Sequence, residues 1–208
     1  MIITTPSRIG AVVLAAGGST RLGYPKQLIE YDGAPLVRRA ANAVIDAGIH
    51  PVIVVLGADA DLIEPALAGM PAVTTVVNAE WVTGLASSLA VGIRAVFDIA
   101  PFDAVLVTLA DQPLVDADAI QRLVAGFDAG HRIVASEYNG ALGVPALFGR
   151  EYADNLLQLE GDIGAGPWLR ARGSEVTRIP LPVAEIDIDM PSDVARLSGG
   201  DRDSIQVS

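Results

Sequence analysis

Short, β-branched apolar runs alternate along most of this chain with segments whose apolar residues recur at helical spacing, and few folds satisfy that pattern. Residues 9–16 (IGAVVLAA) open the series as an unbroken apolar run, as expected of a parallel strand covered on both faces. Residues 35–47 (PLVRRAANAVIDA) carry helical spacing, with Pro35 in the first turn and Gly48 beyond the end. The alternation then predicts strands at 51–56, 73–77 and 104–109, and helices at 60–68, 86–97 and 116–127. The last third is more mixed. Strand-like pieces fall at 132–136, 144–148, 176–179 and 185–188, and helices near 151–159, near 164–171 and in a short segment ending near Leu197. Such alternation implies an α/β sandwich with a mostly parallel sheet, whose ligands bind at the carboxyl ends of the strands. No repeat or linker divides residues 1–197, which are expected to form one domain, and the polar residues 198–208 to form a frayed tail.

Charge narrows the partners. A formal net charge of −11 argues against a nucleic acid held through its phosphates. An anionic small molecule remains compatible, because a few local cations and N–H groups suffice to hold it. The absence of cysteine excludes disulfides and thiolate metal sites. The first eight residues lack the apolar core of a signal peptide, and Gly, Pro or a charge interrupts every apolar run before it reaches the length of a membrane span. The expectation is a cytoplasmic protein with no membrane partner.

The loop after the first apolar run carries the densest chemistry. Leu14, Ala15, Ala16, Gly17, Gly18, Ser19, Thr20, Arg21, Leu22, Gly23, Tyr24, Pro25, Lys26, Gln27 and Leu28 follow one another there, and Lys26 is the only lysine in the chain. Small residues let the backbone approach a ligand, and consecutive N–H groups form a concavity suited to anions. Arg21 and Lys26 add the positive charge a triphosphate requires. Neither the Walker A ending nor the glycine spacing of the dinucleotide fingerprint is present. The glycines alone are compatible with simple tight turns; their combination with Arg21, Pro25 and Lys26 is the specific signal.

Those residues resemble the signature of the molybdenum-cofactor nucleotidyltransferases, LAAG-x-S-x-R-x-G-x-PK-x-L, at every fixed position. The resemblance covers roughly residues 9–197. Trp81, Gly84, Leu85, Ser87 and Ser88 resemble the family's W-x-x-GL-x-SSL segment, and residues 109–113 its LADQP motif. Residues 161–165 resemble GD-x-GA, and residues 187–193 DID-x-P-x-D. Two positions depart from the family: Val144 stands where His is common before Pro145, and Gly166 where Arg is common. Both belong to the acceptor half by analogy. The resemblance implies a three-layer, Rossmann-like α/β/α sandwich of the nucleotide-diphospho-sugar transferase type.

The activity it implies is transfer of CMP from Mg²⁺-bound CTP to a molybdopterin-type acceptor, in the manner of a molybdopterin cytidylyltransferase, with a molybdoenzyme client or maturation factor as a further partner. Lys26, Arg21 and Asp111 would be catalytic. The nucleotide would be held by residues 14–21, Lys26, Gly84, Ser87 and Ser88, although the two serines also suit ordinary helix caps. Asp111 sits just past an apolar strand, and Asp187 and Asp189 are two apart and so share one face of an extended segment. Carboxylate oxygens suit Mg²⁺, and one of Asp187 and Asp189 would complete the metal site with Asp111. Ala16 points to cytosine, since LAAG resembles the cytidylyl-transferring branch and LAGG the guanylyl-transferring one. GTP as donor, another phosphorylated acceptor, and a non-catalytic cofactor-binding chaperone are the alternatives.

Overall fold

Nine strands and seven α-helices are present in the computed structural model, which describes residues 6–198. The strands are β1 (Ile9–Leu14), β2 (Glu30–Tyr31), β3 (Ala34–Pro35), β4 (Val52–Leu56), β5 (Val73–Val77), β6 (Ala104–Leu109), β7 (Ile133–Tyr138), β8 (Ala141–Gly149) and β9 (Thr177–Pro180). The helices are α1 (Leu36–Asp46), α2 (Ala60–Ile63), α3 (Leu85–Ile99), α4 (Ala117–Asp128), α5 (Ala153–Leu157), α6 (Ala165–Arg172) and α7 (Pro191–Ser198). None of the helices among the described residues is long and apolar enough to cross a membrane. Residues 199–208, most of the expected tail, lie outside the described residues.

Seven strands form one sheet in the order β5-β4-β1-β6-β8-β7-β9. Strands β5, β4, β1 and β6 pair in parallel, and β9 pairs in parallel with β7. Strand β8 alone runs the other way, antiparallel to both β6 and β7. Its hairpin with β7 turns at Asn139 and Gly140, both at positive φ (50° and 70°), as an Asn-Gly two-residue turn requires. The small β2–β3 hairpin turns in the same way at Asp32 and Gly33.

Residues of β1 alternate between two cores, and this explains why the strand is apolar throughout. Ala11 and Val13 pack with Val37, Val44, Ile120 and Phe127 of α1 and α4. Val12 and Leu14 pack on the opposite face with Leu89, Ile93 and Val96 of α3. From β1 the chain proceeds outward to β4 and β5, then crosses to β6 on the other side of β1. The loops after β1 and β6 therefore diverge, opening a crevice at the carboxyl ends of these two strands.

Four expected elements differ from those observed, the helix expected near 151–159 being a 3-10 turn, Arg150–Tyr152, followed by the short α5. The helix expected at 60–68 divides into α2 and a 3-10 turn, Glu64–Leu67, because Pro65 has no N–H to continue the α pattern. The strand expected at 144–148 is the longer β8. The strand expected at 185–188 is a 3-10 turn, Pro182–Glu185, followed by extended chain without a ladder. There the Ile188 N–H donates to the Asp111 carbonyl at 3.1 Å, a single bond that period-two patterning cannot distinguish from a strand.

Helix α4 begins as its sequence suggests. The Asp116 carboxylate accepts from the Ala119 N–H at 2.9 Å, satisfying a donor that has no partner within the helix. We expect Asp116→Ala to lower stability by about 1 kcal/mol in urea titration, with the slope unchanged.

Candidate active site

At the crevice between β1 and β6 lies a cleft of about 670 Å³. It is lined by Leu14, Ala15, Ala16, Gly17, Ser19, Thr20, Arg21 and Lys26 on one side, Gly84 and Ser88 on another, and Asp111, Asp187 and Asp189 at the base. Thirteen of the residues expected to form the site thus converge from four separated segments. Gly18 and Ser87 lie outside the lining. A Cβ on Gly18 would stand 3.0 Å from the Trp81 ring, so this residue faces the indole. The Ser87 hydroxyl is engaged within the protein, donating toward the carbonyls of Gly84 (2.8 Å) and Glu80 (3.1 Å) and accepting from Asn78 Nδ2 (2.8 Å).

Lys26 is the electrostatic centre. Its ammonium lies 2.6 Å from Asp111 Oδ2 and 2.6 Å from Asp189 Oδ1, with only 15% of the side chain exposed. Burial alone lowers its pKa, but Asp111 and then Asp189 more than reverse this, so the ammonium is held above its ordinary value. Arg21 Nη1 lies 3.5 Å from Asp189 Oδ2, on a side chain 71% exposed and available to a ligand. The hydrogen bond from Lys26, and then the charges of Lys26 and Arg21, hold the Asp189 carboxyl below the usual range despite partial burial. Asp187 is shifted the other way, raised first by burial and then by the neighbouring Asp111 and Asp189.

Asp187 and Asp189 reach the site because the Ile188 N–H is tied to the Asp111 carbonyl. Asp193 fixes the segment's other end, its Oδ2 accepting from the N–H groups of Asp189 (3.1 Å) and Met190 (2.7 Å) at the start of α7. Asp111 Oδ1 is buried and has no hydrogen-bond partner among the described residues. An orphaned carboxylate oxygen with Asp187 nearby is a donor set suited to a hard divalent cation. Arg21 and Lys26 face four lining carboxylates, those of Asp111, Asp162, Asp187 and Asp189, so the cleft needs further positive charge to accept a triphosphate.

The loop after β1 is held from beneath. Among the described residues, no acceptor meets the N–H groups of residues 17–21. The loop also approaches β4 closely. A Cβ on Gly57 would lie 2.8 Å from both the methyl and the carbonyl oxygen of Ala16, and 2.7 Å from Trp81 Cβ.

Two buried amides escaped the sequence reading. Gln27 braces the loop, and Asn78 donates to Ser87 Oγ and to Ser88 Oγ (3.0 Å) while its Oδ1 accepts from the Glu80 N–H (3.0 Å). Neither has a sequence signal beyond its place beside a motif. Each becomes meaningful only when the loops close over it.

A mostly parallel Rossmann-like sheet, with a small-residue loop over a lysine and carboxylates at its switch point, is the architecture of a nucleotidyltransferase. Residues 11–176 match the model of the MobA-like NTP transferase domain, and the chain belongs to that family. It is 34% identical over 174 residues to nicotine blue oxidoreductase of Paenarthrobacter nicotinovorans, an alignment covering 79% of this chain and 82% of that one. A nucleotidyl transferase from Methanothermobacter superposes with a TM-score of 0.76 at 26% identity, covering 91% of this chain and 95% of its own. A Mycobacterium tuberculosis H37Rv protein, solved in complex with manganese, superposes at 0.72 with 27% identity over 93% of this chain and all of that one.

Proposed function

We propose that the protein transfers CMP from CTP to the terminal phosphate of a molybdopterin-type acceptor and releases pyrophosphate. The observation that carries the reading is Lys26, ion-paired to Asp111 and Asp189 beneath a loop whose N–H groups are free to meet phosphate oxygens. In this reaction an acceptor phosphate oxygen forms a bond to the α-phosphorus as the bond to the bridging oxygen breaks. The electron pair leaves on pyrophosphate. A phosphate monoester is already anionic near neutral pH, so no strong base is required, and the task is alignment and charge neutralisation. Lys26 and Arg21 counter charge developing on the departing phosphates, and the N–H groups of residues 17–21 orient them.

Asp111 and Asp187 would hold Mg²⁺, since both oxygens of Asp189 face Lys26 and Arg21 whereas Asp111 Oδ1 is unpartnered. The manganese complex of the mycobacterial relative supports a divalent ion in this fold. When bound, such an ion supplies positive charge to the triphosphate and stabilises pyrophosphate as it leaves. Cytosine is favoured because Ala16, which lines the cleft, gives the loop the LAAG form that resembles the cytidylyl-transferring branch. The match to the molybdenum-cofactor motifs favours the pterin acceptor.

The test is pyrophosphate release by purified protein with molybdenum cofactor, Mg²⁺, and CTP or GTP in parallel. We expect CTP-dependent turnover that EDTA abolishes. Preference for GTP would overturn the base assignment, and turnover in EDTA the metal. Silence with both nucleotides, despite demonstrated CTP binding, would overturn the acceptor. The relative's name supplies a second reading, an oxidoreductase, favoured if the protein alters the visible absorbance of nicotine blue and releases no pyrophosphate.

A further inference from the structure

We propose that Gln27 is the positioning residue that presents the loop's N–H groups to the triphosphate, a role that rests on the nucleotidyl-transfer reading above. Its side chain is 2% exposed at the wall of the cleft it helps to line, with its amide spent on the loop. Both of its donor contacts go to the loop: Nε2 donates to the carbonyls of Ala15 and Gly17, each at 2.8 Å. Its Oε1 faces the Ser19 hydroxyl at 3.4 Å, and the same hydroxyl accepts the Lys26 N–H at 3.0 Å.

The consequence follows from backbone geometry. A peptide unit whose carbonyl is turned inward must turn its N–H outward, because the two lie on opposite sides of the planar group. By holding the Ala15 and Gly17 carbonyls under the loop, Gln27 turns the N–H groups of Ala16 and Gly18 away from itself. Ser19, at φ 47°, lies in the left-handed region, where consecutive N–H groups form a concave nest for anions. Gln27 also shares the 3-10 turn Lys26–Leu28 with the catalytic lysine, so one short element sets both the ammonium and the loop. A glutamine that merely filled core volume would gain as much from any buried acceptor. Here every polar contact is to the loop or to its serine.

The test compares affinity for CTP with affinity for CMP, and GTP with GMP in parallel, by calorimetry in Mg²⁺ well below the unfolding midpoint. The variants are Gln27→Met, of similar length without donors, and Gln27→Asn, which keeps an amide one methylene short of both carbonyls. We expect the triphosphate-to-monophosphate affinity ratio to fall about tenfold in Gln27→Met, the effect of losing roughly 1.4 kcal/mol of phosphate contact, and by a smaller factor in Gln27→Asn. A purely structural role would lower the melting temperature and leave that ratio unchanged in the folded protein. An unchanged ratio in whichever variant folds overturns the role of Gln27 alone. Wild-type protein that binds neither CTP nor GTP more tightly than its monophosphate would overturn the phosphate-loop reading itself, and this role with it.

Discussion

Lys26→Met should lower the rate of pyrophosphate release by about 10²- to 10³-fold while circular dichroism remains that of the folded protein. Among the described residues the ammonium is the one buried cation of the cleft, and its partners are carboxylates rather than core dipoles. In the variant Asp111, Asp187 and Asp189 face one another without that charge, and an incoming triphosphate meets a more negative floor. A second readout follows from protonation. Lys26 is the largest influence holding the Asp189 carboxyl down, so this group should titrate at higher pH in the variant, observable by carbon NMR. A depressed carboxyl contributes stability above its unfolded value and loses it as pH falls through the folded one. The wild type should therefore lose stability more steeply than the variant as pH falls through that range, with Arg21 still holding part of the shift. Unchanged pyrophosphate release would remove Lys26 from the mechanism.

Gly84→Ala should be the most damaging single-methyl change near the cleft. Gly84 caps α3 at φ 118° and ψ 173°, a backbone region essentially reserved to glycine. Its added Cβ would also overlap the backbone carbonyl of Gly161, whose oxygen accepts the Ala86 N–H at 3.1 Å. Strain of about 3 kcal/mol, together with the displaced loop, should lower the melting temperature by roughly 10 °C. Nucleotide affinity should fall as well, because Asp162 and Gly84 line the cleft and Asp162 Oδ1 accepts the Leu85 N–H at 3.4 Å. A variant that melts with the wild type would show that the 161–164 loop relaxes freely.

Much of the fold was legible because parallel strands covered on two faces must be largely apolar, as β1 and β4 are throughout and β6 is except at Thr108. The loop over Lys26 was legible for a related reason: a backbone that approaches a ligand leaves little choice of side chain. What escaped depends on direction and on distant partners. Apolar content cannot show that β8 runs against its neighbours, although Asn139 and Gly140 were a usable hairpin signal. The segment carrying Asp187 and Asp189 has strand-like alternation, but its single bond to Asp111 is formed only when two remote segments meet. Gln27 and Asn78 are ordinary amides until the fold buries them at 2% and 3% exposure.

The only lysine of the chain lines the candidate active-site cleft, and this gives the molecule a built-in reporter. Reductive methylation with labelled formaldehyde would mark one ε-amine, so a methyl spectrum would contain one internal resonance besides that of the terminal amine. Its chemical shift would follow the ammonium as it exchanges carboxylate neighbours for phosphate. Site occupancy could then be followed in a crude mixture, without a chromophore, an engineered cysteine or a turnover assay.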